Sequence, residues 1–260
     1  VASNADKDSA VSVEIARRIA AKIGSAAQGA RLVGQMSGNK FESIVEEFLK
    51  NTFFKLDHLR PGRWQVRRVI GRGEKGSIAN FEQYAHLAAL KLAASKDPQL
   101  ASALGNEYVI SPDVIITREP EEDSAINQAE SLVDEYSVNQ ASLRKRNNSL
   151  LLLHASISCK WTLRSDRAQN ARTEGLNLVR NRKGKLPHIA VVTGEPSPGR
   201  IASLALGTGD IDCTYHFALP ELIEAVRECQ RQDEIERLLM TMIDGKLLRD
   251  ISDLPFDLAV

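Results

Sequence analysis

The sequence predicts an α/β fold, a small mixed central sheet flanked by helices, and three observations point there. Short apolar, β-rich runs alternate with longer stretches of helical spacing along the whole chain. Its 260 residues are 43% hydrophobic, enough to bury a sizeable core. No internal repeat or low-complexity linker divides them, so residues 1–260 are expected to form a single domain, with a polar N-terminal arm over about residues 1–10.

Each element has its own signal. Val11 to Ile23 carries apolar residues at helical spacing, with Ser9 or Asp8 as its cap. A second helix is expected from about Asn39 to Phe54, burying Phe41, Ile44, Val45, Phe48 and Leu49. Arg63 to Ile70 alternates through Trp64, Val66 and Val69, as an amphipathic strand does. Gly71 to Gly76 reads as a turn; Asn80 then caps a helix to about Ala94, and Asp97-Pro98 opens a short helix ending at Gly105. Tyr108 to Thr117 is β-rich but interrupted by Pro112, which suggests a bulge or an edge.

Leu150 to Thr162 is a longer strand, with Leu151, Leu153, Ala155, Ile157 and Cys159 alternating against Leu152, His154, Ser156, Ser158 and Lys160. Ser165 or Asp166 caps a helix reaching about Arg180, and His188 to Thr193 is an almost wholly apolar strand. Ser197-Pro198 opens another helix, Pro being favoured at the first helical position. Cys213 to Phe217 is a further strand, followed by two helices from Pro220 to about Met242.

The chain carries 34 basic and 34 acidic residues, so its net charge does not announce a polyanionic partner. Its distribution does. Between Arg144 and Lys185 eleven basic residues face only Asp166 and Glu174, a surplus of nine on which a polyanion could sit; solvated surface charge is the competing account. The three cysteines show no metal or disulfide spacing, and no apolar run approaches bilayer length, so a reducing cytoplasm is expected. A first residue of Val rather than Met points to a short piece preceding it.

One local feature is chemically odd. Asp113 sits where a strand resumes after Pro112, and Lys160 stands on a strand face with Ser156 and Ser158, although lysine is rarely buried unpaired. If these strands are neighbours, a carboxylate and an ammonium converge at the sheet edge. That pairing suits phosphodiester hydrolysis, in which a metal held by carboxylate oxygens activates water and a lysine stabilises developing charge. Glu174 is two helical turns from Arg167 and able to add a second carboxylate. Taken by spacing alone, Asp113 also fits a turn, Lys160 a snorkelling strand lysine, and Asp166 a helix cap between solvated arginines.

Ser111-Pro112-Asp113 followed by Ser158-Cys159-Lys160 resembles the bipartite motif of the PD…(D/E)xK nuclease superfamily, with Ser158 where the second acid usually stands. The run from His154 to Thr162, then Arg164 to Arg172, Glu174 to Arg182 and Ile251 to Pro255, resembles the NgoMIV-type restriction endonucleases, a variant with its second carboxylate on the following helix. The resemblance is weakest over 119–150 and 224–240. It implies a restriction-endonuclease-like fold and a Mg²⁺-dependent, bacterial type II restriction endonuclease. It further implies metal binding by Asp113, Glu42, Glu174 and the Cys159 carbonyl, with Lys160 catalytic and Ser158 beside it.

The resemblance further assigns base reading to Arg164, Asp166 and Arg167, with Asp6, Gln35 and Arg200 at the outer base pairs. Two arginines around an aspartate suit CC/GG, since Arg bonds guanine O6 and N7 and a carboxylate accepts from cytosine N4. The implied target is double-stranded GCCGGC, cut after the first G, by a dimer of dimers carrying a pair of Mg²⁺ ions per active site.

Other readings compete. Gly71 to Gly76 superficially matches a dinucleotide loop, but the helix expected after it starts too late for a cofactor-binding oxidoreductase. A non-catalytic, sequence-specific DNA-binding regulator would need the basic helix but neither Asp113 nor Lys160. His58, His86, His154, His188 and His216 show no ligand spacing.

Overall fold

Among the described residues six strands form one sheet in the order β1-β2-β3-β4-β5-β6, and chain order equals spatial order. A computed structural model describes residues 3–24, 34–69, 77–96, 99, 112–207, 209–229 and 233–260, without the side chains of 34–37 and 91. The Gly71 to Gly76 turn, the Asp97 to Gly105 helix, residues 108–111 of the predicted strand and the Gln35 side chain lie outside the described residues. The strands are β1 (Trp64–Arg68), β2 (Val114–Arg118), β3 (Leu152–Lys160), β4 (His188–Thr193), β5 (Cys213–His216) and β6 (Leu248–Asp250). Among the described residues the longer helices are α1 (Ala10–Lys22), α2 (Gly34–Thr52), α3 (His86–Ala94), α4 (Ser165–Asn181), α5 (Pro198–Ala205), α6 (Leu219–Glu228) and α7 (Asp233–Asp244).

The sheet is mixed for a reason of connectivity. β1, β2 and β3 pair antiparallel, whereas β3 to β6 pair parallel because helices carry the chain back between them. Parallel strands covered on both faces are apolar throughout, which is why His188–Thr193 lacks alternation. On one face Phe41, Val45 and Leu49 of α2 pack on Val114, Ile116, Ile157 and Val192. Ile15 and Ile19 of α1, Ala168 and Ala171 of α4, Leu222 of α6 and Leu239 of α7 gather with Val191 in a second cluster.

Several sequence expectations need correction. Ile44 was expected inside but is 52% exposed, because it falls to one side of the Phe41–Val45–Leu49 stripe. The alternation of β3 breaks at His154: Ile116 pairs with Ala155 but Thr117 with Leu153. That bulge turns Leu153 toward Ile115 and Ile189, while His154 packs against Phe53 and Trp64. The helix expected from Asn80 begins only at His86, after two 3₁₀ turns, since Phe81 is held extended by its bridge to Leu151. Helix α4 is capped by neither Ser165 nor Asp166; Arg164 is its cap residue, with no side-chain cap bond, and Asp166 lies in the first turn.

Strand β6 carried no sequence signal at three residues long. Ser9 does cap α1, accepting from Ser12 N–H at 3.2 Å.

The basic stretch is likewise not one surface. Arg144 is buried at 1% exposure, gripping both oxygens of Asp123 and the carbonyls of Asp134 and Ser137. Lys145 pairs with Glu122 and Arg172 with Asp210. Lys160, Arg164 and Arg167 stand at the carboxyl end of β3 and the start of α4, whereas Arg180, Arg182, Lys183 and Lys185 fall at the opposite end of that helix.

Candidate active site

The parallel register lines up Lys160, Thr193, His216 and Asp250 across the carboxyl ends of β3 to β6. Helices α4 and α5 begin just beyond β3 and β4, so their N-terminal amides face this edge, a setting that favours phosphate.

Strand β2 ends its ladder at the Val114–Ile157 pair, leaving the next β3 amide on that side, Cys159 N–H, without a strand partner. Asp113 takes it: Cys159 N–H donates to Asp113 Oδ2 at 2.7 Å, and Lys160 Nζ donates to the same oxygen at 2.8 Å. Main-chain bonding from Val69 N–H to the Asp113 carbonyl, 3.0 Å, holds the residue from the other side. Lys160 keeps 14% side-chain exposure. Burial pulls its ammonium down, but Asp113 and Glu174 outweigh that and leave it raised, so it stays charged.

On the next turn of the strand, Ser158 Oγ donates to Glu174 Oε2 at 2.8 Å, joining β3 to α4. Glycine beside Glu174 permits the approach. A Cβ on Gly175 would stand 2.1 Å from the Asp210 carbonyl oxygen. Glu42 arrives on α2, whose Phe41 ring packs 5.1 Å from Trp161, the residue after Lys160. Its carboxyl is pushed up by burial and by the charge of Asp113, with Arg68 and Lys160 opposing.

Carboxylate oxygens of Asp113, Glu174 and Glu42, with a main-chain carbonyl at Cys159, are the donor chemistry of a hard divalent cation. Such an ion would relieve the repulsion that raises Glu42. Among the described residues no three His, Cys, Asp or Glu side chains close on one point; Asp113 is held by Lys160 and the Cys159 amide, and Glu174 by Ser158.

Buried Cys159 packs in the core, and burial raises its thiol well above the usual range, so only its main chain faces the site. An acid–lysine pair at a strand end, flanked by helix N-termini and a second acid, fits phosphodiester hydrolysis.

Comparison with known proteins decides the family. The NgoMIV restriction enzyme family model matches residues 1–260. This chain belongs to the NgoMIV restriction enzyme family. The type II restriction enzyme NgoMIV of Neisseria gonorrhoeae is 56% identical over 260 residues, which cover 100% of this chain and 90% of that enzyme. As a member of the NgoMIV family the chain is a type II site-specific deoxyribonuclease that binds double-stranded DNA. No helix among the described residues is long and apolar enough to cross a membrane.

Around this NgoMIV-family site the expected reading residues fall into two groups. Arg164 and Asp166 are exposed at the start of α4, while Arg167 is half-buried and donates to Thr162 Oγ1 at 2.7 Å. Arg200, on α5, is paired with Asp6 of the N-terminal arm. The arm is irregular, as expected, yet docked: Asn4 is buried and its Nδ2 donates to the Gly194 carbonyl at 2.6 Å.

Sequence reasoning missed Glu195. It lies buried between these groups, its oxygens taken by main-chain amides, and Glu-Pro-Ser-Pro-Gly looks like any turn. Burial pushes its carboxyl up, partly offset by those amides and by Arg200.

Proposed function

We propose that this enzyme cleaves GCCGGC after the first G, leaving a 5′ CCGG overhang with 5′-phosphate ends, in a reaction that depends on Mg²⁺. One observation carries the chemistry. Asp113 Oδ2, the Lys160 ammonium and the Cys159 amide meet within hydrogen-bond distance at the end of β3, four residues before Arg164.

Asp113, Glu174, Glu42 and the Cys159 carbonyl are the residues to hold a pair of Mg²⁺ ions. When bound, such ions polarise the scissile phosphoryl group and lower the pKa of an attacking water. Lys160, charged and fixed by Asp113, stabilises the negative charge that grows on the phosphate oxygens. Ser158 keeps Glu174 turned toward the strand.

Arg164 and Arg167 read guanines and Asp166 a cytosine amine at the central base pairs; Asp6, Gln35 and Arg200 serve the outer ones. A palindrome is read most simply by a two-fold dimer, and we propose that two such dimers assemble into a tetramer. The whole of 1–260 works as a single nuclease domain in the bacterial cytoplasm.

The test is a digest of a sequenced plasmid with Mg²⁺, with the ends mapped. Cuts confined to GCCGGC and abolished by chelator are the expected result; cuts at another sequence, or cleavage indifferent to chelator, would overturn the target or the metal. A regulator that binds but never cuts would leave the plasmid intact.

A further inference from the structure

We infer that Glu195 is a positioning residue for sequence discrimination, clamping together the main chain of the two segments that read bases. The inference rests on the proposed reading roles of Arg164, Arg167 and Arg200.

Glu195 is 0% exposed, in the loop that follows β4. Both carboxylate oxygens are committed: Oε2 accepts from Leu163 N–H at 2.8 Å and Oε1 from Ser197 N–H at 3.1 Å. Leu163 immediately precedes Arg164, and Ser197 is the cap residue of α5, three residues before Arg200. Arg200 Nη1 stands 3.9 Å from Oε2 while Nη2 pairs with Asp6. A single buried carboxylate thus joins segments that leave the sheet from β3 and β4, and through Arg200 the N-terminal arm.

Its own loop is held from both sides. Glu195 N–H donates to Thr193 Oγ1 at 3.1 Å, and His216 Nε2 lies 3.2 Å from the Glu195 carbonyl oxygen. A carboxylate removed from water is tolerated only when its oxygens are bonded, and here two amides supply those bonds while the Arg200 guanidinium, 3.9 Å away, adds a nearby positive charge. An apolar residue would fill the same space but leave the Leu163 and Ser197 amides unpaired. The two donors also demand a carboxylate specifically. A carboxamide of equal size must turn its NH₂ toward one of them.

Glu195→Gln therefore breaks one clamp without changing volume. The readout is the ratio of single-turnover cleavage rates at the mapped wild-type site and at that site with one base pair changed. We expect the ratio to fall about tenfold or more, the scale of one lost bidentate base contact, with a smaller change in rate at the true site. A structural defect alone would lower both rates together and leave the ratio; that result overturns the inference.

Arg164→Ala runs alongside. If it keeps the wild-type ratio, the reading assignment fails and the inference with it; if it loses the ratio while Glu195→Gln keeps it, the clamp alone is wrong.

Glu195→Asp, charged but one methylene too short to span both amides, must show the same loss and serves if the Gln variant does not fold. The wild-type protein gives a reading that needs no variant. The Leu163 and Ser197 amides should exchange slowly with solvent deuterium in the free enzyme, and exchange at exposed-loop rates would overturn the arrangement.

Discussion

Ser158 Oγ and Glu174 Oε2 are 2.8 Å apart, so a carboxylate carried by helix α4 reaches the strand position where the superfamily motif usually keeps its second acid. The two substitutions at this bond should differ in kind. Glu174→Gln removes a charge that helps keep the Lys160 ammonium raised and deletes a proposed metal ligand, so cleavage should fall roughly 10²-fold or more. Ser158→Ala leaves the carboxylate present but untethered, and the loss should be much smaller. Single-turnover rates at saturating Mg²⁺ separate them; equal losses would mean that the hydroxyl does chemistry of its own.

Asp113 binds Lys160 and the Cys159 amide through the same oxygen, and the pair should separate binding from catalysis. Asp113→Ala is expected to abolish cleavage while preserving or strengthening specific DNA binding in Ca²⁺, because it removes negative charge facing the backbone. Lys160→Ala should slow cleavage by about 10²–10³-fold, the usual cost of a lost charge-stabilising donor, and still bind. Gel-shift and cleavage assays on one duplex decide this; Mg²⁺-dependent cutting by Asp113→Ala would remove it from the metal site.

How much of this was legible in the sequence depends on the range of the interaction. The strand at Leu152–Lys160 declared itself by alternation, and Lys160 stood out because a lysine on a strand face shared with Ser156 and Ser158 is rarely buried unpaired. Alternation could not show the bulge at His154, since an extra residue in one strand is defined only against its neighbour. Arg144 looked like surface charge for the same reason: its burial is created by the 119–148 segment closing around it through Asp123 and two carbonyls. Glu42 is brought in by the packing of Phe41 on Trp161, a contact between residues 120 positions apart. Glu195 is held by main-chain amides, which leave no trace in side-chain pattern.

Arg164, at the head of α4, and Arg167, one turn on, offer unlike reading groups. Arg164 is exposed, whereas Arg167 is already oriented by Thr162. Arg164→Ala and Arg167→Ala should each weaken discrimination by about 1–3 kcal/mol. Thr162→Val should weaken it less, by releasing the Arg167 guanidinium to other rotamers. Competition binding between the cut site and single-substitution duplexes measures this; wild-type preference in either arginine variant would place the reading surface elsewhere.

Gly175 packs where no side chain fits. A Cβ there meets the Asp210 carbonyl oxygen at 2.1 Å and Ile189 at 3.4 Å, and main chain cannot swing aside as a flexible side chain can. Gly175→Ala should cost about 1–3 kcal/mol of stability through overpacking, although alanine is the better helix former. Lifting α4 off that loop also displaces Glu174, so activity should fall at temperatures where the variant is still folded. Urea unfolding together with cleavage rates tests both parts; unchanged stability would contradict the close approach of α4.

His216 is expected to make the fold sensitive to acid. It is fully buried, with Nδ1 accepting from Ala218 N–H at 3.1 Å and Nε2 against the Glu195 carbonyl oxygen at 3.2 Å, so the neutral ring carries its proton on Nε2. Protonating Nδ1 would set one N–H against another. Burial depresses this imidazole to about 4, the two main-chain bonds only partly opposing it, and burial likewise takes His154 to about 4. In the unfolded chain both titrate near 6.5. A depressed histidine contributes its full stability above the unfolded value and loses it as the pH falls from about 6.5 toward 4, because the unfolded state binds the proton first. For His216 the loss across that interval is about 3 kcal/mol. Urea midpoints measured from pH 7 down to 4 should therefore decline steadily, and more shallowly in His216→Asn, whose ring-free side chain can accept from Ala218 without titrating. A slope identical in the two proteins would show that the acid sensitivity arises from other groups.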